Sequence, residues 1–287
     1  MPLGLLIQIA GVWEATARKP GNVYPGADFE NTSYLDFILS TAAAGHALHF
    51  APAKPVGESV SAAIRATGAV CRSNTNLGIA LLLAPLAAVT TQELRAGLVA
   101  VLMGLTLTDA QRVYGAIRLA NPGGLGDAPE QDVRNEPTVT LLEAMKLAAD
   151  RDMVARQYAN GFADVFDFGV PAFLAGFERF GCVEAAIIDS QVRWLAEYRD
   201  SLIARKNGPA VAADVQKRAA EVLAQGGIAT AEGRAAGVAL DRHLRSDGNK
   251  LNPGTTADLI TACLFVALRE NRVTPSAPFR WNVSDWL

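Results

Sequence analysis

The sequence predicts an all-α protein, and three observations lead to that prediction. Alanine, leucine and other strong helix formers dominate the chain, no stretch alternates for long with the two-residue period of a β-strand, and capping residues precede several apolar segments. Hydrophobic residues make up 50% of the 287 positions, so a sizeable core can be buried. Since no solenoid-length period recurs and no Ser/Gly-rich linker divides the chain, we expect a single domain, residues 1–287, whose Gly/Asn-rich loops form one pocket.

Taken in order, the helix formers and capping signals predict about twelve helices. The predicted segments are 3–17, 32–51, 58–71, 76–88, 91–104, 109–120, 140–158, 171–180, 182–204, 210–225, 230–245 and 256–271. Several starts carry a threonine two or three residues before an acid or amide that completes a capping box or favours the first-turn dipole. These pairs are Thr90 or Thr91 with Glu93, Thr108 with Gln111, Thr140 with Glu143, and Thr255 with Asp258.

Charge and hydropathy exclude two classes of partner. A net charge of -3 argues against a general nucleic-acid binder, whose affinity would depend on a basic face. The apolar N-terminal stretch has no basic leader and carries Glu14, and the apolar run 79–89 contains Pro85 and is too short to cross a bilayer. We therefore expect a cytoplasmic protein without nucleic-acid or membrane partners. The sequence leaves a homo-oligomer open.

A polar segment stands directly before a strongly apolar predicted helix, and it is the first candidate ligand site of the chain. Ser73, Asn74, Thr75 and Asn76 precede this helix, at whose start Gly78 allows close approach of a ligand. Unpaired N–H groups and the positive dipole end of a helix favour an anion there, so the segment is a candidate phosphate site. The alternative is an ordinary helix N-cap with an additional asparagine.

A second polar segment of this kind, residues 247–258, contains Asn252 and again precedes a predicted helix. Upstream of it, Arg205 and Lys206 stand beside Asn-Gly at a predicted helix end. These basic residues are candidates for a phosphate clamp, although the helix dipole alone also favours cations at that position.

The loop 18–28 is another candidate ligand segment, with two prolines and two glycines. Lys19 offers a point charge to a phosphate, and Asp28 offers a carboxylate to a metal ion or a ribose hydroxyl. The alternative is a plain helix stop, because Lys-Pro-Gly and Tyr-Pro-Gly both break helices.

A predicted helix beginning at Asp109 runs into a glycine-rich loop. Asn121, Gly123 and Gly124 belong to this loop, which needs more backbone freedom than a single turn and suits a mobile lid or a close approach to substrate. Asp127 and Asp132 are spaced to place two carboxylates near one Mg²⁺.

Arg118, on the same predicted helix, can neutralise a phosphate. Surface ion pairing is the alternative for any one of these charged residues. The chain has no GxSxG, HExxH, Walker or Rossmann motif, so hydrolase triads and P-loop kinase chemistry lack support.

Five stretches together resemble one known family. They are KPGNVYPGADF, SNTNLGIALLLAPL, DAQRVYGAIRLANPGGLG, DSLIARKNG and LNPGTTADL, within residues 19–268. In this order they are similar to the triphosphoribosyl-dephospho-CoA synthase family, with SNTNLG and ANPGGLG as the most specific marks. Citrate-lyase-type members read Asn-Thr-His-Lys-Gly where this chain has Asn74-Thr75-Asn76-Leu77-Gly78. The chain more closely resembles the divergent branch of archaea and one-carbon-metabolising bacteria.

The resemblance implies an all-helical transferase that uses ATP, with Mg²⁺, and 3′-dephospho-CoA, and that releases adenine. If that reaction holds, our hypothesis from charge and from their position beside glycine-rich loops is that Asp109, Asp127 and Asp132 act as catalytic carboxylates and that Asp28, Asp127 and Asp132 bind the metal. The residues that we expect to bind the triphosphate are Lys19, Ser73, Asn74, Thr75, Asn76, Gly78, Arg118, Asn121, Gly123, Gly124, Arg205, Lys206 and Asn252. Two alternatives are a Mg²⁺-dependent transferase acting on another phosphorylated precursor in one-carbon cofactor (methanopterin or methylofuran) biosynthesis, and a non-catalytic nucleotide- or CoA-binding protein.

Overall fold

A computed structural model describes residues 1–125, 128–283 and 286 of the chain, and the protein is all-α in these residues, as predicted. They contain fourteen α-helices and no β-strand. The helices are α1 (Leu3–Thr16), α2 (Tyr34–Leu48), α3 (Val56–Gly68), α4 (Leu77–Ala88), α5 (Leu94–Met103), α6 (Leu107–Ala120), α7 (Leu141–Ala148), α8 (Met153–Asn160), α9 (Val170–Phe180), α10 (Val183–Glu197), α11 (Ser201–Asn207), α12 (Pro209–Ala224), α13 (Ala231–Arg245) and α14 (Gly254–Arg269).

The chain forms two compact units. The first consists of Met1–Val12 and Leu35–Phe166, and the second consists of Trp13–Tyr34 and Asp167–Leu287. The expectation that residues 1–287 are a single domain with one shared pocket stays a prediction. Among the described helices, none has the length and apolar character that crossing a bilayer requires.

Helix α4 is the core helix of the first unit. Almost all of its side chains are buried, because the segment is apolar on every face, and it packs against α3, α5 and α8. Pro85 lies inside α4 and has no N–H to donate to the carbonyl of Leu81, four residues earlier. The hydroxyl of Tyr158 on α8 donates to that carbonyl at 2.6 Å, so the buried acceptor is satisfied.

Helix α10 is the central helix of the second unit, and it packs against α9, α12 and α14. Its buried residues include the apolar Ile187, Ile188 and Val192, but also the fully buried Glu184 and Gln191. The two polar residues are seven positions apart, so they lie on one face of the helix. Burying polar side chains costs free energy unless they are paired, and both are paired with the loop that follows α1.

Two predicted helices are each two helices in the structure. The predicted helix 140–158 is interrupted at Asp152, which caps α8 by accepting from the N–H groups of Val154 and Ala155. The predicted helix 182–204 is interrupted at Asp200, which caps α11 in the same way. An aspartate at an N-cap satisfies otherwise unpaired N–H groups, and this local stabilisation marks a new helix start.

Of the four predicted capping pairs, one is right and three are wrong. Helix α5 has Glu93 itself at its N-cap, without a side-chain cap, so Thr90 and Thr91 do not cap it. Thr140 and Glu143 form the predicted box at the start of α7. Helix α6 is instead capped two residues earlier than predicted, by Thr106 with Asp109. Helix α14 starts at Gly254 and has no side-chain cap, so the predicted pairing of Thr255 with Asp258 is wrong.

Candidate functional site

A buried ion pair anchors the start of the loop after α1 in the second unit. The Arg18 guanidinium donates to the two carboxylate oxygens of Glu184 at 2.7 and 3.2 Å, and Glu184 is 0% exposed. The same guanidinium donates to the carbonyl oxygens of Trp281 and Trp286 at 2.7 and 3.1 Å. Because two parallel hydrogen bonds fix the planar guanidinium, the beginning of the loop has one position against α10.

Helix α13 determines the path of the same loop. Asp241 accepts from the N–H of Gly21 at 2.7 Å, and Arg245, which donates to Asp241 at 2.8 Å, also donates to the carbonyl of Asn22. Gly21 has φ of 75°, and a Cβ added to it would lie 2.7 Å from Cβ of Leu244. Glycine is therefore required here both by the left-handed backbone and by the close approach of α13.

Three side-chain amides connect the loop to the segment before α14. Gln191 Nε2 donates to the carbonyl of Pro20 at 3.0 Å and to Asn22 Oδ1 at 2.6 Å. Asn22 Nδ2 in turn donates to Asn252 Oδ1 at 2.7 Å. The sequence predicted ligand roles for both segments, and the structure brings them together within the second unit.

The segment around α11 joins the same cluster. Asn207 Nδ2 donates to the carbonyl of Lys250 at 2.9 Å, while the Asp200 carboxylate accepts from both the N–H and the hydroxyl of Thr256 at 2.8 Å. Burial raises the pKa of Asp200, against the effect of its hydrogen bonds. Arg205 is partly buried in the last turn of α11 and Lys206 is exposed there. Three of the predicted polar segments are thus neighbours.

Lys19 and Asp28 have protein partners in the structure. The Lys19 ammonium is fully buried and lies 2.9 Å from the Glu14 carboxylate. It also donates to the carbonyls of Glu14 and Ala17. The exposed Asp28 accepts from the N–H of Tyr34 at 2.7 Å. Their predicted roles, as phosphate and metal ligands, stay predictions.

The segment 73–78 of the first unit precedes α4, as predicted. Asn74 Oδ1 accepts from the N–H of Leu77 at 3.1 Å. The side chain of Asn76 is buried. Asn76 Nδ2 donates to the carbonyl of Ser40 at 3.3 Å and to Thr67 Oγ1 at 2.8 Å. The buried Asn76 Oδ1 and Thr75 Oγ1 have no hydrogen-bond partner among the described residues. Ser73 and Gly78, at the two ends, are partly exposed.

The loop after α6 folds back on that helix. Exposed Asn121 ends α6 in a left-handed conformation, with φ of 44°, and exposed Gly123 and Gly124 follow. Arg118 donates to the carbonyl of Val133 at 2.8 Å and pairs with Glu136 at 3.1 Å, so its guanidinium contacts the far side of the loop. Asp127 lies outside the described residues.

Asp132 is the buried carboxylate of this loop. Its oxygens accept from the Arg134 guanidinium at 2.7 and 2.8 Å and from the N–H of Ala128 at 3.0 Å. The hydrogen bonds from Arg134 and the backbone hold the pKa of Asp132 well below its usual range. Asp132 is therefore an ionised carboxylate throughout the neutral range.

Asp109 has a structural role that the sequence did not indicate. One carboxylate oxygen accepts from the N–H of Gly57 at 2.8 Å, and the other accepts from the N–H and hydroxyl of Thr106 at 2.9 and 2.7 Å. It thereby joins the starts of α3 and α6. Asp109 also lines an open cavity of about 480 Å³, together with Lys54 and Arg112. Its predicted catalytic role stays a prediction.

The described residues contain no group of three or more His, Cys, Asp or Glu side chains placed to hold a metal ion. Magnesium is commonly held by one or two carboxylates together with substrate phosphates, so a preformed cage is not required for its use. Asp132 has the ionised oxygen donors that Mg²⁺ prefers, although Arg134 engages them here. The metal assignments stay predictions.

Sequence reasoning missed the residues that hold the loop 18–22 in place. These are Glu184, Gln191, Asp241 and Arg245, each of which is on a helix and not in a glycine-rich segment. Two of them carried a recognisable signal, because Glu184 and Gln191 interrupt an otherwise apolar face of α10 at a spacing of seven. A buried face with regularly spaced polar residues indicates a partner segment.

The fold and these contacts define an all-helical protein whose polar, glycine-bearing connections carry the candidate ligand groups. Its sequence matches the CitG family, described as ATP:dephospho-CoA triphosphoribosyl transferase, over residues 2–276. The chain therefore belongs to this transferase family, as the resemblance predicted.

Two relatives give the scope of the similarity. A candidate 2-(5''-triphosphoribosyl)-3'-dephosphocoenzyme-A synthase of Pseudomonas putida is 35% identical over 113 residues, which are 39% of this chain and 40% of the relative. The match thus spans well under half of that protein. The crystal structure of a candidate triphosphoribosyl-dephospho-CoA synthase from Archaeoglobus fulgidus has a TM-score of 0.63 and 27% identity, covering 80% of this chain and 97% of the archaeal chain.

Proposed function

We propose that the protein transfers the triphosphoribosyl group of ATP to 3′-dephospho-CoA and releases adenine. The glycosidic bond between C1 of the ATP ribose and adenine breaks, and a ribose hydroxyl oxygen of the acceptor bonds to C1. A base takes the proton of that hydroxyl, and the bonding electron pair leaves with adenine. The observation that carries the proposal is the family match over residues 2–276.

The contacts of the second unit support a role in holding phosphates. Asn252 stands two residues before the sixteen-residue helix α14, whose dipole favours negative charge at its start, and the Asp200 carboxylate already accepts from the N–H of Thr256 there. Arg205 and Lys206 end α11, whose residue Asn207 bonds to the Asn252-bearing segment. We assign triphosphate oxygens to Asn252, Arg205 and Lys206, and we retain Lys19 as a further assignment.

In the first unit, we assign further phosphate contacts to the start of α4 and to the loop after α6. The residues are Ser73, Asn74, Thr75, Asn76 and Gly78 at α4, and Arg118, Asn121, Gly123 and Gly124 at α6. The unpartnered Thr75 Oγ1 supports the first group, because a buried hydroxyl without a partner is costly unless a ligand uses it.

Carboxylates near C1 would stabilise the positive charge that develops as adenine leaves. We assign this role and that of the base to Asp109, Asp127 and Asp132, and we assign Mg²⁺ to Asp127, Asp132 and Asp28. The low pKa of Asp132 suits it to stabilising charge or binding a cation better than to taking a proton. When bound, Mg²⁺ would neutralise phosphate charge.

The test is to incubate the purified protein with ATP, Mg²⁺ and 3′-dephospho-CoA and to measure free adenine by chromatography with mass spectrometry. We expect adenine release that depends on the acceptor, and slower turnover in D127N and D132N. D214N is the control, because Asp214 is a half-exposed carboxylate on α12 paired with Arg218. Full turnover in both D127N and D132N would remove these residues from the mechanism.

A second candidate is a Mg²⁺-dependent transfer to another phosphorylated precursor, in one-carbon cofactor assembly. The sequence departs from the citrate-lyase type at Asn76-Leu77, where those members have His-Lys, and this departure is the observation that favours it. Turnover with such a precursor but not with 3′-dephospho-CoA would identify this reaction. Nucleotide binding without turnover of any acceptor would instead indicate a binding protein.

A further inference from the structure

Gln191 is a buried glutamine that the proposed reaction does not use directly. It is 0% exposed on α10, and its Nε2 donates both to the Pro20 carbonyl and to Asn22 Oδ1. Its Oε1 has no hydrogen-bond partner among residues 1–125, 128–283 and 286. An unpaired buried acceptor is destabilising, so the two hydrogen bonds that Nε2 donates to the loop are what account for an amide at this position.

The Pro20 carbonyl determines the orientation of three amides in series. A carbonyl oxygen only accepts, so the Gln191 group that faces it is the NH₂ group. The same NH₂ faces Asn22, which must present its oxygen there and its own NH₂ to Asn252. Asn252 must then accept with Oδ1, and its NH₂ group points away from the series.

The free end of this series lies at the start of α14. A Cβ added to Gly254, the first residue of α14, would lie 3.4 Å from Asn252 Nδ2. Asn252 is only partly buried, and its Nδ2 takes no part in the amide series. If the Gln191 amide had the opposite orientation, Asn252 would present its Oδ1 at the start of α14, and this oxygen would repel an anion.

We propose that Gln191 is a positioning residue that fixes the direction of the Asn252 amide, so that Asn252 offers a donor to a phosphate oxygen of the bound nucleotide. This inference rests on the phosphate role assigned to Asn252 under the proposed function. It adds two points. The ligand must present a hydrogen-bond acceptor to Asn252, and the orientation of the Asn252 amide originates at the Pro20 carbonyl, two amides away.

A double-mutant cycle tests the proposal on the full chain. The variants are Q191M, N252A and Q191M/N252A, and the measurement is the affinity for inorganic tripolyphosphate by calorimetry. We expect Q191M to weaken binding about tenfold, the effect of misdirecting one hydrogen bond to a charged group. In the N252A background the same substitution should change affinity less than about twofold, because its effect passes through Asn252.

Q157M is the matched control. Gln157 is likewise 0% exposed with an unpartnered Oε1, but it lies on α8 in the first unit. We expect Q157M to lower the melting temperature to an extent comparable with Q191M and to leave tripolyphosphate affinity unchanged. If Q191M does not fold, N22A interrupts the same series one bond later and replaces it in the cycle.

Three results would overturn the inference: no tripolyphosphate binding by the wild type, unchanged affinity in folded Q191M, or an equal loss in the presence and absence of Asn252. The proposed reaction fails separately. If the wild type binds tripolyphosphate with the expected coupling but releases no adenine from ATP, the positioning role stands and the reaction is wrong.

Discussion

The buried pair of Arg18 and Glu184 gives a quantitative prediction for E184Q. Glutamine keeps the size of the side chain but removes the negative charge, so the Arg18 guanidinium, 11% exposed, is left without its counter-ion. The new NH₂ group would also face either Arg18 or the N–H of Trp281, which donates to Glu184 at 2.8 Å. Removing one partner of a buried ion pair costs about 3–5 kcal/mol.

Tryptophan fluorescence is the assay for this change. The chain has four tryptophans, and Trp13, Trp194, Trp281 and Trp286 all belong to the second unit. Their emission therefore reports the unfolding of that unit. For a unit of this size we expect the midpoint of thermal unfolding to fall by roughly 6–20 °C in E184Q.

D214N provides the matched control for E184Q. Asp214 pairs with Arg218 at 2.7 Å, but both side chains are more than 40% exposed. Exposed pairs contribute about 0–1 kcal/mol, so D214N should barely move the midpoint. The double variant R18M/E184L should recover part of the E184Q loss, because a buried pair can be replaced by apolar side chains. Equal midpoints for E184Q and D214N would refute the reasoning.

Three further predictions follow from single contacts. Y158F leaves the Leu81 carbonyl of α4 buried without a donor, and we expect a loss of about 1–3 kcal/mol, measured by urea unfolding followed with far-UV circular dichroism. G21A forces a Cβ against Leu244 in a left-handed backbone, so both the fluorescence midpoint and adenine release should fall. R134M removes the main cause of the low pKa of Asp132, so that pKa should rise in an NMR titration. A carboxylate whose pKa is lower in the folded than in the unfolded chain stabilises the fold at pH values above its unfolded-state pKa. The difference in unfolding free energy between wild type and R134M should therefore narrow below about pH 4.

The sequence allowed the elements to be predicted as helices, but it did not allow their first and last residues to be predicted. The segment Thr106-Leu107-Thr108-Asp109-Ala110-Gln111 contains two overlapping capping boxes, Thr106 with Asp109 and Thr108 with Gln111. Local sequence does not separate them. The structure uses the first, in which the second Asp109 oxygen also accepts from Gly57 on α3. The cap that the structure uses is thus the one whose aspartate also makes a contact across 52 positions.

The candidate site shows the same division between local and distant information. Polarity and glycine content singled out the loop 18–28 and the segment 247–258, and these do meet through Asn22 and Asn252. The helical side chains that hold them could not be found from those segments. Gln191 is 169 positions from Asn22, and its role depends on the orientation of amide groups, which the sequence does not specify.

Lys19 shows why a basic residue in a glycine-bearing loop has two physical uses that the sequence alone does not distinguish. An ammonium group has three donors, and here its acceptors are the Glu14 carboxylate and the carbonyls of Glu14 and Ala17. Glu14 belongs to the last turn of α1 and Ala17 follows it, so the Lys19 ammonium contributes hydrogen bonds to carbonyl oxygens at the end of this helix. A phosphate would have to compete with all three acceptors for a side chain that is 0% exposed. Whether or not Lys19 contacts phosphate during turnover, its position in this structure already accounts for a lysine by holding the end of α1 and the start of the loop together.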